Sequence, residues 1–328
     1  IQELWDDIVG TYSWNSGKMD WDYTAGGDKV IFEFPATESS ETNNAVLQIY
    51  DYEGVVIENP IDDEYTGDLP VSLKADLKVD EVELLSYVYA ATFNEDGIPS
   101  MIASDLIIET FTFEFDLTNN NTEVSVNYKI TNNSETIFDI GGAINGLFTD
   151  ENIENSKYIR YETYTDYRWN PDTEEYESVE VTDEYEEIEF EEIINTANAH
   201  MRLFNIELKG DIDIKGLVDE LRTIYPEDEP DEFDETAADE LAVEKINNYL
   251  DMYVVNLNRD EKIAEVEAYV VYETEYSWID FRLVFGDEST VDLETYFEEG
   301  FDNLVSELNA LITDMNSEYD LEIDEIEY

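Results

Sequence analysis

The chain has 328 residues, of which 84 are acidic, 16 are basic and none is cysteine, giving a formal net charge of −68. Nucleic-acid binding rests on Lys and Arg neutralising phosphates, and no basic stripe exists to do that; thiolate catalysis, disulfides and Cys-ligated metal centres are excluded outright. Hydrophobic residues make up 42% and aromatic residues 13%, so the chain is no disordered polyelectrolyte but has material for a core of a kind that suits strands.

A compact chain of this mass exposes on the order of 14,000 Å², which would put evenly spread acids roughly 13 Å apart. That exceeds the Debye length of about 8 Å at physiological salt. Acids clustered at alternate strand positions would not be screened, and such a surface favours concentrated salt or divalent cations. Lysine falls to ten residues. Replacing Lys by Asp and Glu over a whole surface points to adaptation to salt; an acidic secreted protein stabilised by calcium is the other reading. No apolar run approaches the roughly 20 residues of a membrane span. The sequence begins at Ile1, which reads as a processed or trimmed chain with any signal peptide or lipid anchor upstream.

In chain order, "IQELWDDIVGTYSW" predicts a short helix or turn and then a strand. "DKVIFEF", "NAVLQIYDY" and "VSLKADLKV" are short alternating or apolar runs bounded by Gly, Pro, Asn or Asp, and predict strands. "LIIETFTFEFDL" reads as one strand with Phe111, Phe113, Phe115 and Leu117 on one face. Asn119 to Asn121 then turn the chain into "EVSVNYKI". These runs predict an antiparallel meander, sandwich- or barrel-like, over residues 1–150.

"YIRYETYTDYRW" and "YESVEVTDEYEEIEF" flank the turn signal "NPDTEE" and predict a long hairpin within 151–195. Ile159, Tyr161, Tyr167 and Trp169 alternate with Arg160, Glu162, Asp166 and Arg168, which predicts an aromatic face and a charged face. The alternation slips at Glu186–Glu187, where a bulge is expected.

From residue 196 the pattern becomes α+β. "HMRLFNIELKGDIDI" reads as a strand, "GLVDELRTIY" as a short helix, and "PEDEPDEFDE" as an acidic loop. "TAADELAVEKINNYL" predicts a helix with Ala238, Leu241, Ala242, Tyr249 and Leu250 as its stripe. "KIAEVEAYVVYE" and "SWIDFRLVF" are strands, and a last helix runs through "ETYFEEGFDNLVSELNALITDM". The expected fold is therefore α+β and β-rich: an antiparallel meander (1–150), a long hairpin (151–195), and an α+β segment (196–328) with helices packed on an antiparallel sheet.

Candidate chemistry is sparse. His200 is the single histidine and reads as a strand-edge or half-buried residue in phase with Phe204, Ile206 and Leu208. Carboxylate pairs could support glycoside hydrolysis, but 84 acids supply many pairs by chance. Asp20 and Asp22 flank Trp21, whose ring could stack on a sugar or face the core. Calcium takes carboxylate and carbonyl oxygens; its candidate ligands are Asp62, Asp63 and Glu64 in "PIDDEYTGD", Asn94 and Asp96 in "NEDG", and the loop "PEDEPDEFDE". None has EF-hand spacing, and each also reads as a solvated turn. Gly26–Gly27 and Gly141–Gly142 belong to no phosphate-binding motif. No cofactor is expected, with calcium the one ion in question. Tyr161, Tyr167, Trp169 and Trp21 are the candidate contacts to a partner or a glycan.

The stretches "IVGTYSWNSGKMDWDY", "KVIFEFPATESSETNNAVLQIYDY", "NEDGIP", "YRWNPDTEEYE" and "VFGDESTVDLETYFEEGFDNLV" resemble cell-surface or secreted lipoproteins of Bacteroidota, a group without assigned activity. The resemblance implies an extracellular or surface location, anchored to the outer membrane through a lipidated Cys upstream of Ile1. It carries no catalytic motif. The expected function is that of a non-enzymatic structural, adhesive or accessory component of an envelope assembly, its partners being other envelope proteins or copies of itself. The alternatives are a carbohydrate-binding or carbohydrate-active protein and a calcium-loaded matrix protein.

Overall fold

The computed structural model describes residues 2–37, 40, 42–58, 68–170, 175–225, 233–273, 276–319 and 323–326. Helix α1 (Gln2–Ile8) leads into strands β1 (Gly10–Asn15), β2 (Asp20–Ala25), β3 (Val30–Phe34), β4 (Ala45–Val56), β5 (Asp68–Val79), β6 (Val82–Phe93), β7 (Pro99–Ile108), β8 (Phe111–Asn119), β9 (Glu123–Asn132) and β10 (Glu135–Gly146). Helix α2 (Asp150–Asn155), the hairpin arms β11 (Lys157–Asn170) and β12 (Glu175–Ile188), and helix α3 (Phe190–Ile193) interrupt the succession. It resumes with β13 (Ile194–Leu203), β14 (Ile206–Asp213), α4 (Ile214–Ile224), α5 (Glu235–Tyr249), β15 (Leu250–Asn256), β16 (Glu261–Tyr272), β17 (Ser277–Phe285), β18 (Thr290–Asp292) and α6 (Leu293–Tyr319).

The expected α+β, antiparallel and β-rich character is what forms, but neither a sandwich nor a barrel does. Sixteen strands make one open sheet with edges β18 and β2, and β10 pairs with β13, so the sheet passes without a break from the first half of the chain to the second. Every pairing is antiparallel except β1 with β3. Apart from β3, which pairs with β1, and β13, which pairs with β10, each strand of this sheet pairs with the one before it.

Two expected single strands are in fact hairpins. "LIIETFTFEFDL" turns at Glu109–Thr110, and "HMRLFNIELKGDIDI" turns at Phe204–Asn205. Glu109 and Phe204 both take φ 53°, in the left-handed region, without being glycine. The Asp80–Glu81 and Asn133–Ser134 turns have positive φ at both residues, the tight hairpin geometry that matches strand twist.

Strand alternation gives the sheet two unlike faces. The inner face carries the core: Phe111, Ile130, Leu203, Leu208, Val254, Ala264 and Leu283, closed by Phe297, Leu304 and Leu311 of α6. The periodic stripe of the last helix is therefore its buried side. Gly300 lets α6 approach β13, since a Cβ there would sit 3.0 Å from Leu203 Cδ1. The helix continues to Met315 and Tyr319, which line one small cavity together with Phe34, Ala45, Leu77, Leu85 and Ile108. It thus lies along one end of the strands, from β17–β18 towards β3.

Helix α5 covers a second part of the same face, over β16 and β17. Its buried stripe differs from the expected one: Ala238, Asp239 and Ala242 are buried, Leu241 is exposed, and Leu250 opens β15. Asp239 can stand in an apolar stripe because both its oxygens are bonded, Oδ1 by the Tyr225 hydroxyl and Oδ2 by the Ser277 hydroxyl, each at 2.6 Å. Burial, and next the Asp239 hydrogen bond, push the Tyr225 hydroxyl well above the ordinary tyrosine range. Asn247 bonds both the N–H and the C=O of Ala268, giving β16 a partner beyond its last pair with β15, Tyr253↔Glu265. Helix α4 is held to α5 by Lys245–Glu220 at 3.0 Å.

Asp239 thus ties α4, α5 and β17 together. Replacing it by Ala should cost about 2–3 kcal/mol, and Tyr225→Phe about 1 kcal/mol. Denaturant unfolding of the two variants checks this, and equal losses from both would remove Asp239 from the centre of the cluster.

Candidate functional site

Helix α6 covers one end of the strands and α5 covers the other end at β15–β17, which leaves the rest of the inner face open. A basin of about 590 Å³ lies there, lined by Leu117, Val126, Tyr128, Ile140, Met201 and Met252, among others. Its floor follows from the sequence. Gly142, Ala199 and Gly210 are register partners on β10, β13 and β14, so three adjacent strands present almost no side chain in one row. Larger residues do not fit: a Cβ at Gly142 would lie 2.6 Å from Asn198 O, and one at Gly210 would lie 2.0 Å from Asp251 O. The walls are apolar and partly solvent-exposed, with Val126 at 47%, Ile140 at 43% and Ile144 at 38%. Tyr128 supplies the wall's hydroxyl, and burial raises that hydroxyl above the usual tyrosine range.

The outer face beneath is polar and ordered in rows. One row runs Asp105, Glu114, Lys129, Asp139, Arg202 and Glu207 across six adjacent strands. Lys129 pairs with Glu114, and Arg282 holds Glu267 at 2.8 Å further along the sheet. His200 is half-buried on this face, with Nε2 at 3.2 Å from Asp139 Oδ1; the turn at Phe204–Asn205 puts Ile206 and Leu208 on the inner face, so His200 does not share their phase as expected. Asp105 stands at the end of the row, opposite an acid instead of a base. Partial desolvation first, and then the carboxylates of Glu114 and Asp116, raise its carboxyl above the ordinary value.

The other candidates do not converge on either face. Trp21 sits on edge strand β2, with its ring edge-on to Trp14 at 5.5 Å and to Phe32 at 5.4 Å. Asp20 and Asp22 alternate to the opposite face of β2, and Asp22 is held below the ordinary carboxylate range by hydrogen bonds from Asn15 and Lys18. Trp278 lies on β17 near the other edge of the sheet. Among the described residues, Trp278 therefore shares no cleft with Trp14 and Trp21. Asn94 Oδ1 accepts from the N–H groups of Asp96 and Ile98, at 3.1 and 2.8 Å, and so stabilises its own turn. Asp62, Asp63, Glu64 and most of "PEDEPDEFDE" lie outside the described residues. Among the described residues, no group of three or more acidic or His side chains is placed to hold a metal ion. Also among them, no helix is long and apolar enough to cross a membrane.

The hairpin forms as a two-stranded sheet of its own, with two corrections. Its ladder runs unbroken from Lys157↔Ile188 to Asn170↔Glu175, without the expected bulge. Tyr161 stands opposite Glu184 and Tyr167 opposite Ser178, while Arg160 stands opposite Tyr185 and Asp166 opposite Val179. Both faces are therefore mixed, because an unbroken ladder puts the apolar residues of β12 beside the charged residues of β11. Tyr161 and Tyr167 are 64% and 68% exposed. Trp169 is the register partner of Tyr176 near the tip, and its side chain lies outside the described residues.

No protein-family model matches this sequence, and neither a curated protein nor a solved structure matches it.

Because its carboxyl is raised in the folded state, Asp105 costs stability wherever it is ionised. Asp105→Asn should raise the melting temperature at neutral pH. The gain should vanish as pH falls below the carboxylate range, where the wild-type carboxyl is protonated folded and unfolded alike. Melting curves across pH check both the sign and the window.

Proposed function

We propose that this chain is a non-enzymatic, salt-adapted protein of the cell surface or the secreted space, a structural, adhesive or accessory component of an envelope assembly. In this reading the basin seats an apolar segment of a partner protein. The observation that carries it is the apolar, open basin on a chain with a net charge of −68. Contiguous apolar surface on a monomer marks an interaction site. The chain also exposes 21303 Å², about 1.5 times the area expected of a compact monomer of its mass.

The shape and chemistry of the basin favour a protein segment. It is wide and floored by backbone, and its walls offer few polar groups to orient a small ligand. A hydrolytic site needs a nucleophile and base, or two carboxylates flanking a substrate. The single histidine engages Asp139 on the outer face instead. The carbohydrate reading has less behind it, because Trp14 and Trp21 pack on each other and their neighbouring acids face away.

Two measurements test this. A photo-crosslinking residue at Ile140 of the full chain, in native envelopes, should give one protein adduct that the same residue at Asp105 does not give. Labelling of lipid or glycan alone, or no adduct, would end the reading. Thermal unfolding should shift upward steadily with KCl, and calcium should add nothing beyond its ionic strength. A sharp, saturable rise at low calcium would replace salt adaptation by specific ion sites.

A further inference from the structure

Hairpin β11–β12 is a two-stranded sheet whose arms, among the described residues, have no strand partner but each other. Such a hairpin is marginal in water, and three or more strands are usually needed for stability. Each arm here is 14 residues long and continuous, with no bulge to blunt its edge. Its large side chains face solvent: Tyr161, Tyr164, Tyr167, Tyr176 and Tyr185 are all between 45% and 69% exposed.

The arms differ sharply in charge. β12 carries seven acids and no base, whereas β11 carries Lys157, Arg160 and Arg168 against Glu162 and Asp166. Two β12 edges brought together would oppose acid to acid along their length. The β11 edge is nearly balanced, on a chain that is otherwise overwhelmingly acidic.

We infer that β11 is a homodimer edge: two copies pair β11 with β11 antiparallel about a two-fold axis through Thr163, making a continuous sheet β12–β11–β11–β12. Only alternate residues of a strand turn their N–H and C=O outward, so a two-fold axis must pass through a residue. Two such registers keep thirteen of the fourteen residues of β11 paired. An axis through Tyr164 sets Arg160 against the partner's Arg168, and Glu162 against the partner's Asp166. An axis through Thr163 sets Arg160 against the partner's Asp166 and Tyr158 against the partner's Arg168. On the opposite pleat it sets Ile159 against the partner's Tyr167. The first register opposes like charges four times over; the second pairs unlike charges and apolar with aromatic groups, and by symmetry does each twice. The antiparallel arrangement also sends the two acidic bodies to opposite ends of the joined hairpins, which relieves their mutual repulsion. This deepens the assembly reading by naming one partner, and it rests on that reading only in taking the chain to work in multiples.

The chain has no cysteine, which makes the register testable directly. Opposed residues of antiparallel strands lie about 4.5–5.5 Å apart, within disulfide reach. Mild oxidation of full-length Thr163→Cys in concentrated KCl should give a covalent dimer, whereas Tyr161→Cys and Thr165→Cys, each tested alone, should not. In sedimentation velocity, Arg160→Asp and Asp166→Arg should each weaken dimerisation at least ~10-fold, and the double variant carrying both should restore it. Glu180→Arg on β12 should leave the dimer intact, as should Ile140→Glu in the basin; the latter separates this inference from the basin reading. A monomeric wild type, single variants that dimerise like wild type, or cross-linking at Tyr161→Cys equal to that at Thr163→Cys would overturn it.

Discussion

A sheet of sixteen strands has more face than this chain has helix to cover it. Strands about 4.8 Å apart make a sheet roughly 70 Å wide. Helix α6, with 27 residues, is about 40 Å long and ~10 Å across. It can cover one end of the strands and no more. Helices α4 and α5 cover one further corner, and the basin is what remains. Closure would not have solved the problem, because a barrel of this strand number encloses a wide lumen. Here the apolar face is instead packed against helices where they reach and is left open where they do not.

Charge shapes the opposite face in the same way. With 16 bases to 84 acids, cations are scarce, and two of them stand where cross-strand geometry would otherwise put acid against acid. Lys129 lies between Glu114 and Asp139, and Arg202 between Asp139 and Glu207. Exposed pairs of this kind contribute about 0–1 kcal/mol each. Their importance lies in the repulsion they remove from neighbouring strands. Asp105 shows the alternative, since at its end of the row no cation follows and its carboxyl is raised.

Much of the fold was legible in period-two runs such as Val124–Ile130, and in the stripe from Phe297 to Met315. Turns were legible only where Gly, Pro or Asn marked them. Glu109–Thr110 turns tightly without such a residue, and Phe204–Asn205 carries a single Asn inside an apolar run, so two hairpins read as two long strands. Asp239 broke the helical stripe because the groups that satisfy it, Tyr225 and Ser277, are distant in sequence. Openness was not legible at all, since alternating strands serve a sandwich, a barrel or an open sheet alike. The basin was hidden for a similar reason: Gly142, Ala199 and Gly210 lie on three different strands and form a row only once register is set. Of the site residues named from sequence, Tyr161 and Tyr167 proved exposed on a hairpin arm paired with β12 alone among the described residues, whereas Trp21 packs into an aromatic cluster and Asn94 into its own turn.

The acidity and the bare apolar surface are best understood together. At low ionic strength two bodies of charge −68 repel over tens of ångströms, which opposes contact between copies or with another acidic surface. At about 1 M salt the Debye length falls to about 3 Å, so long-range repulsion fades. Backbone hydrogen bonds, apolar contact and ion pairs in direct touch act within that distance and largely persist. In the proposed reading, the same charge that repels copies of an open, half-covered sheet makes their association conditional on salt. An apolar basin and an unpaired strand edge, hazards on a neutral protein, become tolerable on this one, and selective for contacts whose charges match at close range.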